Sequence, residues 1–170
     1  GRVFYVGTFS KSLFPSLRLG FVVVPDRAVE AFDRAFSSWV SGPPTVTQAI
    51  VADFMDEGHF ATHIRMMRRM YKARYETLMD VSRQVQGAID VQETAGGFHT
   101  AAYLADGLEE GAIVAQAAER GITLAPLSRY CLEPIAEKGL VLGFGCASPD
   151  DIRHGIAILR DLPELKAKPV

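Results

Sequence analysis

The opening of the chain constrains the fold more than any other stretch. Val3-Phe4-Tyr5-Val6 and Leu19 to Val24 are continuous apolar, β-prone runs, and a polar segment with Gly7 and Pro15 lies between them. Continuous runs, unlike alternating ones, mark strands covered on both faces. Two such strands need neighbours on each side, and the opening segment supplies none. The chain also lacks an initiator Met, and its second residue already adjoins a strand. A piece of a longer polypeptide is expected, with the rest of the sheet upstream of Gly1.

Composition narrows the class. With 48% hydrophobic and 22% charged residues, 15 Gly and 9 Pro among 170, disorder and collagen-like repeats are excluded. A net charge of −2 gives no global basic footprint for nucleic acid. The longest apolar runs fall far short of a membrane span. Cys131 and Cys146 read as reduced thiols and small buried groups, and with no signal peptide they predict a cytoplasmic protein.

Beyond the opening strands the pattern switches to helical spacing. Pro25-Asp26 starts a helix with Val29, Phe32 and Phe36 on one face. Ser41 to Pro44 is a break. Thr45 and Gln48 form a capping-box pattern ahead of a stripe of Val46, Ile50 and Phe54, and Gly58 is the stop. Phe60, Ile64, Met67, Tyr71, Leu78 and Val85 predict one long helix over residues 60–86. Strands follow at Ile89 to Val91 and Phe98 to Leu104, separated by a Gly96-Gly97 turn. A helix from Glu109 to Arg120 stops at Gly121, and short strands are expected at Ile122 to Ala125 and Leu140 to Phe144. Ser148-Pro149-Asp150-Asp151 opens a last helix with a capping Ser, Pro at the first helical position and acids in the first turn. Its buried stripe is Ile152, Ile156 and Leu159. The Lys166-Ala167-Lys168-Pro169 tail is expected to fray.

The turn Thr8-Phe9-Ser10-Lys11 carries the chemistry. It follows a strand, where open α/β sheets commonly place ligands. A Lys partly withdrawn from water there favours its neutral, nucleophilic amine, which can condense with an aldehyde. Thr8 and Ser10 offer hydroxyls, and Arg18 offers a fork that grips phosphate at two points. Together these suit a phosphorylated aldehyde such as pyridoxal phosphate. By residue type alone, a polar surface turn with an ordinary charged Arg18 is the favoured reading.

The full string weighs differently. Gly7-Thr8-Phe9-Ser10-Lys11 with Leu13-Phe14-Pro15, Leu17-Arg18-Leu19-Gly20 resembles the Schiff-base segment of fold-type I pyridoxal-phosphate enzymes, the aspartate aminotransferase superfamily. The resemblance implies that Lys11 forms the internal aldimine and that Arg18, Ser10 and Thr8 bind the cofactor phosphate. It implies an α/β fold, the C-terminal part of the fold-type I aminotransferase fold. Residues 1–42 would be the last strands and helix of the large cofactor domain, 43–86 connecting helices, and 87–170 a small C-terminal α/β domain. The wording is most similar to the aminotransferase-like domains of MocR-type regulators of the GntR family. Gly58-His59-Phe60-Ala61, His63-Ile64-Arg65, Met67-Arg68-Arg69, Tyr71, Gly96-Gly97-Phe98-His99 and Leu140 to Phe144 share it. That branch implies pyridoxal phosphate or an amino compound as effector, DNA contact only through an upstream winged helix-turn-helix, and a homodimer. A free-standing aminotransferase of the same fold is the alternative.

Two departures bear on activity. Many aminotransferases clamp the substrate carboxylate with an Arg on the late strand, and Val141 stands there. The family's partners for the pyridine ring lie upstream, so these residues alone are expected not to catalyse. The remaining candidates have plainer readings. Arg65, Arg68, Arg69, Lys72 and Arg74 alternate with Met67, Met70 and Tyr71, as on a solvated or subunit-contacting helix face. His59 and His63 are four apart but lack a third metal ligand. His99 reads as a satisfied strand histidine, and Asp150 and Asp151 as first-turn helix acids.

Overall fold

The computed structural model describes residues 1–39, 45–133 and 135–166. The chain divides into two compact units, residues 1–67 and 68–170. The division falls within one helix.

In the first unit, β1 (Tyr5–Thr8) and β2 (Gly20–Val23) pair antiparallel, with Tyr5 opposite Val23 and Thr8 opposite Gly20. β2 lies within its apolar run, whereas β1 is displaced two residues from Val3–Val6 and takes in Gly7 and Thr8, and the burial expected of both does not follow. Val6 is 76% exposed and Val23 57%. A two-stranded ribbon gives each strand a single neighbour, and among the described residues no further strand joins it. Burial on two faces needs layers that local sequence cannot supply. α1 (Val29–Trp39) contributes Phe32, whose ring lies 6.3 Å from that of Phe4.

α2 spans Thr45–Asp56, and the residues immediately before it lie outside the described ones. The break at Ser41 to Pro44 lies outside the described residues. The apolar stripe of α2 is only partly covered, Phe54 being half-buried. Val46 and Ile50 are exposed, whereas Val51 is buried. Periodicity marks a stripe, but only a packed neighbour makes it a core. Gly58 ends the segment at φ +77°, the left-handed value that favours glycine. α3 (His59–Val81) then runs into a 3-10 turn at Ser82–Val85, matching the long predicted helix.

The second unit is a four-stranded antiparallel sheet in the order β3-β4-β6-β5. Its strands are β3 (Ile89–Val91), β4 (His99–Leu104), β5 (Ala125–Pro126) and β6 (Gly139–Gly143). α4 (Glu110–Glu119), α5 (Pro149–Arg160) and a short α6 (Pro163–Lys166) complete it. One core joins Leu78 and Val81 of α3, Val85, Ile89, Ala102, Leu140 and Leu142 with Ile113, Ala117, Ile152, Ile156 and Leu159. Each fully buried Leu, Ile or Val side chain there contributes about 1.5–3 kcal/mol. The strand expected at Ile122 to Ala125 shares only Ala125 with β5. Gly121 turns left-handed and donates to Ala118, while the Ile122 N–H donates to the Ala117 carbonyl at 2.9 Å. That pair of bonds is a Schellman stop for α4, and it takes Ile122 out of the sheet.

α5 is capped as its sequence predicts. The Ser148 hydroxyl accepts from the Asp151 N–H at 3.1 Å, and the Asp151 carboxylate accepts from the Ser148 N–H at 2.9 Å. Lys166 closes α6 and pairs with Asp161 at 3.2 Å; the rest of the tail lies outside the described residues. No helix among the described residues is long and apolar enough to cross a membrane.

Candidate functional site

The β1–β2 ribbon ends in the Lys11 turn. Past the last paired residues, the Phe9 N–H donates to the Leu19 carbonyl at 3.0 Å, so the ladder continues one step beyond Thr8. The Thr8 hydroxyl accepts from the Ser10 N–H at 3.1 Å and lies 3.0 Å from the Ser10 hydroxyl. This is a side-chain turn of the kind Ser and Thr favour. The Leu13 N–H returns to the Phe9 carbonyl at 2.8 Å and closes a single helical turn around Lys11. A 3-10 turn at Pro15–Leu17 leads back to Arg18, whose N–H donates to the Pro15 carbonyl at 3.2 Å.

Arg18 has φ +49° and ψ +35°, and it is the one non-glycine at positive φ among the described residues. A side chain in that region costs about 1–2 kcal/mol, which Gly or Asn would avoid. Strain of this kind persists where the side chain is wanted for another purpose. Gly7 meets a different requirement. A Cβ there would stand 2.4 Å from the Phe21 ring. That ring covers Gly7 and lies 5.9 Å from Tyr5 and 5.7 Å from Phe9. Phe9 in turn meets Phe60 of α3 edge-on at 6.0 Å.

The backbone therefore brings Thr8, Ser10, Lys11 and Arg18 to one end of one ribbon. Thr8 and Ser10 are in hydrogen-bond contact. Ser10 is half-buried, while Thr8, Lys11 and Arg18 are exposed. The partial withdrawal of Lys11 from water is thus absent among the described residues. The donor set, two hydroxyls with a guanidinium and an amine, suits an anionic phosphate and an electrophilic carbon.

His59 pairs with Glu57 at 3.1 Å and lies tilted against the Phe54 ring, while His63 bonds the Ser12 carbonyl at 3.0 Å. The pair thus splits between two tasks, and sequence spacing had no signal for the link to Ser12. No group of three or more potential ligands for a metal occurs among the described residues. Arg65 donates to Thr62, Lys72 pairs with Glu76, and Arg74 donates to the Gly145 carbonyl beside the Tyr71 ring. His99 is exposed on β4, opposite Gly143. Cys146 is exposed and Cys131 partly so, which corrects the expectation of buried thiols. Val141 pairs with Ala101 and Ala125, so this strand position bears no cation. Glu110 went unremarked in the sequence. Burial pushes its carboxyl up, but the Ser128 hydroxyl and the amides of Gly139, Ser128 and Leu127 together hold it below the usual range.

Comparison with known proteins agrees with this architecture. The chain is similar to the probable rhizopine catabolism regulatory protein MocR of Rhizobium meliloti, 38% identical over 161 residues, covering 94% of this chain and 33% of that protein. The HTH-type transcriptional regulator YhdI of Bacillus subtilis is 34% identical over 161 residues, covering 94% of the chain and 34% of its own length. The chain thus spans about a third of the length of the curated relatives it matches. Among solved structures, the α-aminoadipate aminotransferase LysN of Thermus thermophilus superposes with a TM-score of 0.82 at 25% identity, over 97% of this chain and 42% of that one. A multiple substrate aminotransferase of Thermococcus profundus gives 0.85 at 24%, over 98% and 41%. The fold is that part of the fold-type I aminotransferase fold, in a pyridoxal-phosphate-dependent family. Residues 1–128 match the model of aminotransferase class I and II, and the chain belongs to that family.

Proposed function

We propose that this chain is part of the pyridoxal-phosphate-binding, aminotransferase-like effector domain of a cytoplasmic GntR/MocR-type transcription regulator. Lys11 would hold the cofactor's aldehyde carbon, and Arg18 with the Ser10 and Thr8 hydroxyls its phosphate. When bound, pyridoxal phosphate supplies a reversible covalent grip on primary amines. Residues 1–42 would complete the large cofactor domain, 43–86 connect it, and 87–170 form the small domain. DNA contact belongs to a separate helix-turn-helix domain in a homodimeric protein, with pyridoxal phosphate or an amino compound as effector.

The observation that carries the reading is the Lys11 turn, with a strained Arg18 returned to the same ribbon end as two linked hydroxyls. The regulator relatives direct it toward sensing. Val141 favours sensing over α-amino-acid turnover, because a neutral side chain cannot clamp a carboxylate. Free-standing aminotransferase activity is the second reading, favoured by a 24% identical aromatic-amino-acid aminotransferase of Thermococcus litoralis.

The test is the whole protein's affinity for its own promoter DNA, with and without pyridoxal phosphate. Sensing is a coupling between two sites. The cofactor should change operator affinity in the wild type and leave it unchanged in Lys11→Ala. Equal changes in both would contradict the role of Lys11. Sustained amino transfer from an amino acid to a 2-oxo acid would favour the enzyme instead.

A further inference from the structure

We infer that His63 is a positioning residue for Lys11, holding its turn from α3; the inference rests on the reading of Lys11 as the amine that grips the cofactor. The His63 Nε2 lies 3.0 Å from the Ser12 carbonyl, across 51 residues of sequence, in a partly buried setting. A carbonyl oxygen only accepts, so Nε2 carries the hydrogen and donates it. That nitrogen is therefore not free to ligate a metal.

The bond is one of two anchors. Phe60 lies three residues before His63, on the same face of α3, and packs edge-on against Phe9 at 6.0 Å. Phe9 and Ser12 bracket Lys11. Between them the turn closes on itself through the Leu13 N–H and the Phe9 carbonyl at 2.8 Å. The backbone of Lys11 is thus held from both sides while its side chain stays exposed. A long, flexible Lys side chain gains reach from a fixed base, because fewer backbone conformers carry its amine away from the reacting carbon.

The test compares His63→Phe, which keeps a ring without the donor, with His63→Gln, which restores an N–H. Each whole protein is treated with pyridoxal phosphate, fixed with borohydride, and mapped for labelled lysines by peptide mass. Lys72, with its side chain 75% exposed on α3, is the internal reference. His63→Phe should slow Lys11 labelling relative to Lys72 by about three- to tenfold, the size of one net hydrogen bond, and His63→Gln should recover most of it. Equal labelling in wild type and His63→Phe overturns the inference. So does His63→Gln labelling as slowly as His63→Phe, since packing alone would then account for the effect. Wild-type labelling of Lys11 no faster than of Lys72 overturns the reading of Lys11 itself, and the role of His63 with it. Circular dichroism accompanies each variant, and His63→Leu replaces His63→Phe in the comparison if the latter unfolds.

Discussion

Arg18 pairs a local cost with a proposed purpose. Its left-handed backbone is one that Gly adopts without penalty. Arg18→Gly relieves about 1–2 kcal/mol of strain and gives back about 0.5–1 kcal/mol as unfolded-state entropy. The variant should therefore melt at or slightly above the wild-type temperature while binding pyridoxal phosphate more weakly. A clear loss of stability in calorimetry would show that the guanidinium serves the fold instead. Glu110 contributes to the pH dependence, as do the lowered carboxyls of Asp151 and Asp161. The Glu110 carboxyl is held below the usual range, so its contribution is complete above the unfolded glutamate value and is lost as pH falls through the lower, folded one. The stability difference between wild type and Glu110→Gln should be largest near neutrality and shrink on acidification to about pH 3. A difference constant across that range in urea titrations would rule out the carboxylate's bonds as the cause. The part proposed for Arg18 was read from the sequence, but neither its strain nor the role of Glu110 was legible in advance. Backbone strain at Arg18 and the amides around Glu110 are products of tertiary arrangement, with no periodicity to announce them.

At the level of elements, legibility depended on where the buried partner came from. β3, α4, β6 and α5 match their predicted segments because their apolar faces meet one another within residues 68–166. β2 and α2 lie within their predicted segments and β1 is displaced by two residues, but the burial expected of Val6 and Val23 is absent. A pattern states what a side chain is suited to, and a second layer decides whether it is covered. The cap of α5 needed no such partner, since Ser148 and Asp151 lie three residues apart on one turn. Ser148→Ala should cost about 0.5–2 kcal/mol of stability, read as a shift in the urea midpoint. An unchanged midpoint would mean that Pro149 and the packing of Ile152 and Ile156 start the helix unaided.

At the scale of the whole molecule, the four residues singled out from the sequence, Thr8, Ser10, Lys11 and Arg18, share one ribbon end. What spacing could not provide was the anchor on Ser12 or the exposure of Lys11. A site so open matches a part of a larger fold, and the chain covers about a third of its regulator relatives. The central claim is that one amine, Lys11, takes the cofactor. It is tested most directly by titrating the whole protein with pyridoxal phosphate and following the visible absorbance of the bound form. Wild type should develop a saturable band that Lys11→Ala, folded by circular dichroism, lacks. The same band at the same affinity in Lys11→Ala would contradict the account.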